Sequence, residues 1–228
     1  MQLPEPRTPA EEFFAFAFER QALLFGSYRT KAGRDSPYFL DAGLFSDGQS
    51  MAKLGELYAK TIFRNNFLSD FDSLFGPAYK GIPLVTATAI ALAQFGKNCR
   101  FAYNRKEPKD HGEGGTVIGG PLHGRVAVID DVISAGTSVR QSVEVIHTSG
   151  TQFAGVVVLM DRQEKGAGEL SAIQEVKHNY GVPVLAVATL ADLVHYLERA
   201  CFEEPDRSVS RIIENINAYR KQYGAKAA

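Results

Sequence analysis

The sequence predicts an α/β fold in which a mainly parallel, twisted sheet carries helices on both faces. Short runs rich in Val, Ile and Leu recur along the chain, most clearly at 125–131, 153–161 and 183–189. Each run is followed by a segment with the apolar spacing of a helix. Strands that are buried on both faces are apolar throughout, and helices connect them when the sheet is parallel. No repeat and no long linker divides the sequence, so one domain over 1–228 is expected.

The N-terminal region is predicted to begin with a helix over 8–26. Thr8 can cap this helix, and Pro9 suits its first position, where a backbone N–H is not needed. Extended structure and turns are predicted for 27–45, where Gly33 interrupts any regular pattern.

Strands and helices are then predicted to alternate to the end of the chain. The predicted strands cover 72–78, 99–103, 125–131, 153–161 and 183–189, and the predicted helices cover 48–66, 81–96, 137–150, 169–181, 190–200 and 206–223. Asp47 is expected to cap the first of these helices, and an irregular loop is expected at 104–115.

Four polar loops follow the carboxyl ends of predicted strands. They are GPAYKG at 76–81, NRKEPKDHGEGG at 104–115, DDVISAGTS at 130–138 and DRQEKG at 161–166. Ligands of open α/β sheets bind beyond the carboxyl ends of the strands. We therefore expect the four loops to lie along one edge of one sheet and to form the functional site.

Composition excludes several classes of protein. The chain has 25 basic and 26 acidic residues, and this balance argues against a partner bound through a strong basic excess, such as nucleic acid. The longest aliphatic run, 156–160, is far shorter than the roughly 18 apolar residues of a membrane span. No basic leader precedes an apolar stretch, so a cytoplasmic location is expected. Cys99 and Cys201 fit no metal-ligand spacing and are expected to be thiols, with a single disulfide as the less favoured alternative.

The loop DDVISAGTS combines two carboxylates with small and hydroxyl-bearing residues at the start of a helix. Backbone N–H groups and the positive end of the helix dipole bind anions there, whereas carboxylates accept hydroxyl protons. The combination suits a ligand with hydroxyls at one end and a phosphate at the other, such as a ribose 5-phosphate. The alternative is structural, with Asp130 capping a turn and Gly136 relieving a tight loop. Neither GxxxxGK[ST] nor GxGxxG is present.

The other three loops are ambiguous when taken alone. Lys80 in GPAYKG has the pattern of an exposed lysine in a turn, and Arg162 in DRQEKG has that of a surface ion-pair partner. The loop 104–115 has zero formal charge, which fits a solvated hairpin tip, yet its three glycines and four phosphate donors fit a mobile lid. The four donors are Arg105, Lys106, Lys109 and His111.

The stretch VIDDVISAGTS resembles the phosphoribosyl-pyrophosphate (PRPP) binding motif of type I phosphoribosyltransferases. The stretches GRDSPYFLDAGLF, LFGPAYKGIPL, NRKEPKDHGEGG and LMDRQEKG resemble those of the orotate phosphoribosyltransferase family in particular. These motifs occur in order, and the resemblance runs from about Phe14 to Tyr223. It implies the type I phosphoribosyltransferase fold, with a small hood built from 1–45 and a mobile active-site lid at 104–116.

The resemblance also implies roles for individual residues. PRPP would be bound by Lys31, Tyr79, Lys80, Arg105, Lys106, Lys109, His111, Asp130, Asp131, Val132, Ile133, Ser134, Ala135, Gly136, Thr137 and Ser138. Orotate would be bound by Tyr38, Phe39, Ser134 and Arg162, and the catalytic group would be Lys109, His111, Asp130 and Asp131. Which of Lys109 and His111 donates a proton, if either does, is left open. The family often has a cis peptide in the loop after the first sheet strand, which would be Ala78–Tyr79 here. Position 134 is Ser where the family frequently has Thr, and the hydroxyl is kept.

The implied reaction converts orotate and PRPP to orotidine 5′-monophosphate and pyrophosphate, in pyrimidine biosynthesis. Mg²⁺ would be held mainly by PRPP, with a contact through water to Asp130 or Asp131, and a homodimer would share its lids across subunits. One alternative is a phosphoribosyltransferase for another base. Another is a regulatory protein that only senses PRPP, which should lack the lid lysine or carry a nucleic-acid-binding segment. Lys109 and the near-zero net charge favour the enzyme.

Overall fold

The computed structural model describes residues 3–30, 32–109, 115–133, 136–166 and 168–226; the side chains of 106–109 are not described. The chain divides into two compact units. The sheet unit comprises Asp47–Asp161 and Ala172–Val187, and the hairpin unit comprises Met1–Ser46, Arg162–Ser171 and Ala188–Ala228. The segment 1–45, expected to form a hood, thus belongs to a larger unit that includes two later parts of the chain.

Eight strands and seven α-helices occur in the described residues. The strands are β1 (Leu23–Arg29), β2 (Asp35–Leu40), β3 (Ser73–Gly76), β4 (Arg100–Lys109), β5 (Gly115–Gly119), β6 (Arg125–Asp130), β7 (Gln152–Asp161) and β8 (Val184–Thr189). The helices are α1 (Pro9–Glu19), α2 (Gly48–Arg64), α3 (Gly81–Gln94), α4 (Thr137–Thr148), α5 (Ala172–Tyr180), α6 (Leu190–Glu203) and α7 (Arg207–Tyr223). In the described ranges, no helix has both the length and the apolar character that a membrane span requires.

The sheet unit is built on a six-stranded sheet with the order β5-β4-β3-β6-β7-β8. The pairs β4–β3, β3–β6 and β6–β7 are parallel, whereas β4 and β5 are antiparallel. Because four adjacent strands run in one direction, their carboxyl ends meet at one edge of the sheet. The predicted parallel sheet is therefore confirmed. The carboxyl ends of β3, β6 and β7, which precede three of the four predicted loops, lie at one edge as expected.

The core of the sheet unit explains why its strands are apolar throughout. Val126 and Val128 of β6 lie in one buried cluster with residues of α4 and α5. The alternate residues Ala127 and Ile129 are equally buried. Since successive side chains of a strand point to opposite faces, both faces of β6 are covered.

The hairpin unit corrects the first predicted helix. The helix was predicted over 8–26, but α1 ends at Glu19 and the chain enters β1 at Leu23. Gln21 adopts a left-handed backbone conformation that turns the chain between the two elements. Antiparallel pairing with β2, which places Leu23 opposite Leu40, outweighs the helical pattern of the local sequence.

The irregular loop predicted at 104–115 is also corrected. β4 continues to Lys109, and its distal half pairs with β5, with Asn104 opposite Val117 and Lys109 opposite Gly115. Polar residues form strand here because antiparallel pairing satisfies their backbone groups. The tip at 110–114 lies outside the described residues.

Candidate functional site

The acidic pair lies at the carboxyl end of β6 and is held by its surroundings. Asp130 and Asp131 are only 6% and 9% exposed. The Tyr58 hydroxyl, from α2, donates a hydrogen bond of 2.7 Å to the carbonyl oxygen of Asp130. The Asp131 carbonyl accepts from the Leu159 N–H of β7 at 2.9 Å. The backbone that carries both carboxylates is therefore fixed by a helix and a neighbouring strand.

Burial gives the pair unusual electrostatics. Burial and the nearby negative charge of Asp131 raise the pKa of Asp130 to about 7, against the opposing effect of hydrogen bonds from the Asp131 N–H and the Ser138 side chain. Burial also raises the pKa of Tyr58, and the charges of both aspartates raise it further. Tyr58 therefore stays protonated and can donate its hydrogen bond at physiological pH.

Lys80 brings a positive charge to the acidic pair. Its Nζ lies 2.8 Å from Oδ2 of Asp131, although the lysine side chain is largely exposed. The Ala78–Tyr79 peptide bond in the same loop is cis, as predicted, and Tyr79 is exposed. The Ala78 N–H donates to Oδ1 of Asn104 at 2.8 Å, so the loop is also tied to β4.

Glycine is required where this loop turns into α3. A Cβ atom on Gly81 would lie 2.7 Å from Pro77 Cδ and 2.8 Å from the carbonyl carbon of Gly76. The turn is closed by a hydrogen bond of 3.0 Å from the Gly81 N–H to the Pro77 carbonyl. The close approach of these backbone segments positions Tyr79 and Lys80.

The start of α4 has the features of an anion site. Gly136 caps the helix in a left-handed conformation and offers no side chain to its N–H groups. Those groups and the positive end of the helix dipole attract anions. Arg140 Nη2, one turn along, donates to Thr137 Oγ1 at 3.1 Å and adds a positive charge. Ser134 and Ala135 lie outside the described residues, and Val132 and Ile133 are half-buried.

A second group of predicted residues lies in the hairpin unit. The Arg162 guanidinium stacks on the buried ring of Tyr38, with its central carbon 4.4 Å from the ring centroid. Arg162 Nη2 donates to Ser36 Oγ at 3.1 Å. Phe39, the next residue of β2, is exposed and stacks on Tyr28 instead. The structure thus brings Tyr38 and Arg162 together, while Phe39 has a different neighbour.

Several predicted residues cannot be placed, and several contacts were not foreseen. Lys31 and His111 lie outside the described residues, as do the side chains of Lys106 and Lys109. Sequence reasoning missed Tyr58, Asn104 and Arg140. Tyr58 is 72 residues from Asp130, and no local pattern connects the two. Arg140 was detectable, because residues three apart on a helix are neighbours.

The acidic pair fits Mg²⁺ that is carried by a phosphate ligand. In the part of the chain that the structure describes, no group of three or more His, Cys, Asp or Glu residues could hold a metal. Mg²⁺ is usually bound through one or two carboxylates together with substrate phosphates and water. Asp130 and Asp131 supply that number of carboxylates, next to a site for anions.

A mainly parallel sheet with a buried acidic pair, a lysine loop and a helix start that lacks a side-chain cap is typical of the class of sugar-phosphate-binding proteins. Residues 45–185 match the phosphoribosyl transferase domain family. The chain is 54% identical over 214 residues to an orotate phosphoribosyltransferase of Chromobacterium violaceum, covering 94% of this chain and 96% of the relative. It is 54% identical over 213 residues to that of Thiobacillus denitrificans, covering 93% and 97%. A crystal structure of orotate phosphoribosyltransferase from Francisella tularensis matches with a TM-score of 0.80 at 36% identity, covering 94% of this chain and 100% of that chain. The chain therefore belongs to the orotate phosphoribosyltransferase family.

Proposed function

We propose that this protein transfers the phosphoribosyl group of PRPP to orotate, forming orotidine 5′-monophosphate and pyrophosphate in pyrimidine biosynthesis. The observation that carries the proposal is the ion pair between Lys80 and Asp131, which joins a cationic loop to the acidic end of β6. The start of α4 follows in the same unit. Together these groups match the diphosphate, the ribose hydroxyls and the 5′-phosphate of PRPP.

Each part of PRPP is assigned to chemically matched residues. Asp130 and Asp131 accept hydrogen bonds from the ribose hydroxyls. The N–H groups and hydroxyls of 132–138 hold the 5′-phosphate, as helix starts hold anions elsewhere. The diphosphate is bound by Lys31, Tyr79, Lys80, Arg105, Lys106, Lys109 and His111.

Orotate is assigned to the group around Arg162. A planar guanidinium pairs well with a carboxylate or with two carbonyl oxygens. Stacking on Tyr38 fixes the plane of that guanidinium. Phe39 and Ser134 complete the proposed set of orotate-binding residues.

In the reaction, a bond forms between orotate N1 and the anomeric carbon, and the bond from that carbon to the pyrophosphate oxygen breaks. Orotate N1 attacks as an anion, so a strong protein base is not required. Cationic groups such as Lys80 and Arg105 stabilise the charge that develops on the leaving pyrophosphate. The negative field of Asp130 and Asp131 favours the positive charge that develops on the ribose ring.

Asp130 or Asp131 would help to hold Mg²⁺ that arrives with PRPP. The ion would supply further neutralisation of the diphosphate charge. The protein acts in the cytoplasm as a homodimer, and the lid at 104–116 closes over a neighbouring subunit's site. Closure excludes water and so suppresses hydrolysis of PRPP. Lys109 and His111 act from this lid.

Steady-state rates with a panel of bases test the proposal. Orotate should be consumed in the presence of PRPP and Mg²⁺, whereas uracil, adenine and hypoxanthine should react far more slowly. A preference for uracil or for a purine would overturn the choice of orotate. The Lys109→Ala variant should lose turnover far more than it loses PRPP affinity, because its role is in the transition state. Unchanged turnover would remove Lys109 from the catalytic group.

A further inference from the structure

The guanidinium of Arg162 is held on one edge by a carboxylate that has no assigned role. Glu164 Oε1 accepts from Arg162 Nε at 2.8 Å and lies 2.6 Å from Nη2. Ser36 accepts the other hydrogen bond from Nη2. These contacts engage the Nε–Nη2 edge of the guanidinium, and the Tyr219 hydroxyl also interacts with the side chains of Arg162 and Glu164. The two Nη1 hydrogens point away from that edge and suit a planar anionic ligand.

A second arginine shares the same carboxylate. Arg34 Nη1 lies 3.5 Å from Glu164 Oε2, and Arg34 Nη2 donates to the Lys165 carbonyl at 2.9 Å. The side chains of Glu164, Arg34 and Arg162 are only 15%, 18% and 25% exposed. Two arginines and one glutamate leave one net positive charge in a poorly solvated cluster. One carboxylate of a ligand would neutralise it.

The backbone around Glu164 is fixed as well. Glu164 pairs with Gly224 in an isolated antiparallel β-bridge. The Lys165 N–H donates to the Tyr223 carbonyl, and the Ala225 N–H donates to the Gln163 carbonyl, each at 2.9 Å. The chain that follows α7 therefore holds the segment on both sides of Glu164. Such anchoring is what a side chain needs in order to orient another group with precision.

We infer that Glu164 is a positioning residue, which holds the Arg162 guanidinium so that its Nη1 edge receives the carboxylate of the acceptor base. Together with the two arginines, it leaves the cluster with one net positive charge, which the carboxylate of the base neutralises. The inference rests on the proposed function, because it takes orotate as the ligand of Arg162. Because Arg34 adds a second positive charge, Arg162 can bind the carboxylate of a ligand although it is already paired with the carboxylate of Glu164.

Kinetics of two Glu164 variants test this role. Glu164→Ala should raise the KM for orotate about tenfold, since charged hydrogen bonds of this kind contribute on that scale. Glu164→Gln keeps a hydrogen-bond acceptor for Arg162, so its KM for orotate should lie between those of Glu164→Ala and wild type. The KM for PRPP should stay within twofold in both. The matched control is Glu169→Gln, which breaks an exposed pair with Lys165 in the same segment and should leave all constants unchanged.

A double-variant cycle distinguishes positioning from a merely structural role. If Glu164 acts through Arg162, Glu164→Ala should have no further effect on the KM for orotate in an Arg162→Ala background. Additive effects, or an unchanged KM in Glu164→Gln and Glu164→Ala, would overturn the inference. Wild-type protein that fails to consume orotate would instead overturn the proposed function. Near-isosteric Gln keeps the test valid if the Ala variant does not fold.

Discussion

Lys80 Nζ lies 2.8 Å from Asp131 Oδ2, so the groups assigned to the diphosphate and to the ribose of PRPP are paired with each other. In the proposed complex, PRPP would exchange this ion pair for its own contacts, with phosphate oxygens bound by the ammonium and ribose hydroxyls bound by the carboxylate. The pair links the loop that carries Lys80 to the carboxyl end of β6.

The Lys80→Met variant should lower kcat/KM for PRPP about a hundredfold, because a preorganised cation is removed from the leaving group. Its stability should change little, since pairs that involve an exposed lysine contribute at most about 1 kcal/mol. Steady-state kinetics and thermal unfolding measure the two effects. Lys60→Met, which breaks a helical pair with Glu56 on α2, is the control. An unchanged kcat/KM would remove Lys80 from the PRPP site.

Asp130 should make stability depend on pH. Its pKa is raised to about 7 from an ordinary value of 3.8, so the folded protein holds this proton more tightly than the unfolded chain. The resulting stabilisation is complete below about pH 4 and is lost as the pH rises through about 7. Asp130→Asn removes the ionisation and should raise the unfolding temperature at pH 8, by roughly 2–4 °C for each kcal/mol of penalty removed, with a smaller gain at pH 5.

Thermal unfolding in metal-free buffer at the two pH values measures this difference. Asp35→Asn is the control, because Asp35 forms an exposed pair with Arg29. The stabilised Asp130→Asn variant should also bind PRPP more weakly, since an amide replaces the acceptor for a ribose hydroxyl. Equal gains at pH 5 and pH 8 would show that burial does not raise the pKa of Asp130.

Tyr58→Phe should destabilise the protein by about 1–3 kcal/mol, because the buried carbonyl of Asp130 loses its hydrogen bond from the hydroxyl. Chemical denaturation measures the free energy of unfolding. Tyr180→Phe is a suitable control, since the Tyr180 ring packs edge-on against Phe153 and the substitution preserves that contact. Equal stability of the Tyr58→Phe variant and wild type would mean that Tyr58 does not anchor the acidic end of β6.

Gly81→Ala should impair PRPP binding, because its Cβ would collide with Pro77 and with the backbone of Gly76. The loop that carries Lys80 would have to move. Gly48→Ala is a closely matched control, since Gly48 is also the first residue of a helix and has no atom within 4 Å of an added Cβ. PRPP affinity should fall for the first variant and stay unchanged for the second. Equal affinities would show that the loop tolerates displacement.

The sheet could be predicted from sequence because its strands are buried on both faces. Val126 to Ile129 are all apolar for that reason. The small residues at 134–138 indicate the start of a helix, and α4 begins at Thr137. The end of α1 could not be predicted, because Leu23 and Leu24 continue its helical pattern. Only their pairing with β2 makes them part of a strand. The distal half of β4 could not be predicted from sequence either, because its charged residues form a strand only through pairing with β5.

The parts of the candidate site whose residues are contiguous in sequence could be predicted, and the parts built from distant segments could not. Asp130 and Asp131 are adjacent in sequence to the loop that we assign to the 5′-phosphate, so the chemistry of this segment alone indicated a sugar phosphate. Arg34 and the Lys165 carbonyl that it binds are 131 residues apart, and no local pattern shows that Glu164 joins the same cluster. Long-range contacts of this kind require the folded structure.

The most direct measurement follows orotate absorbance together with pyrophosphate release. The account predicts that orotate disappears only when PRPP and Mg²⁺ are both present, with one pyrophosphate formed for each orotate consumed. Pyrophosphate release without loss of orotate, or no reaction of orotate at all, would contradict the assignment of the acidic pair and Arg162 to one phosphoribosyl transfer.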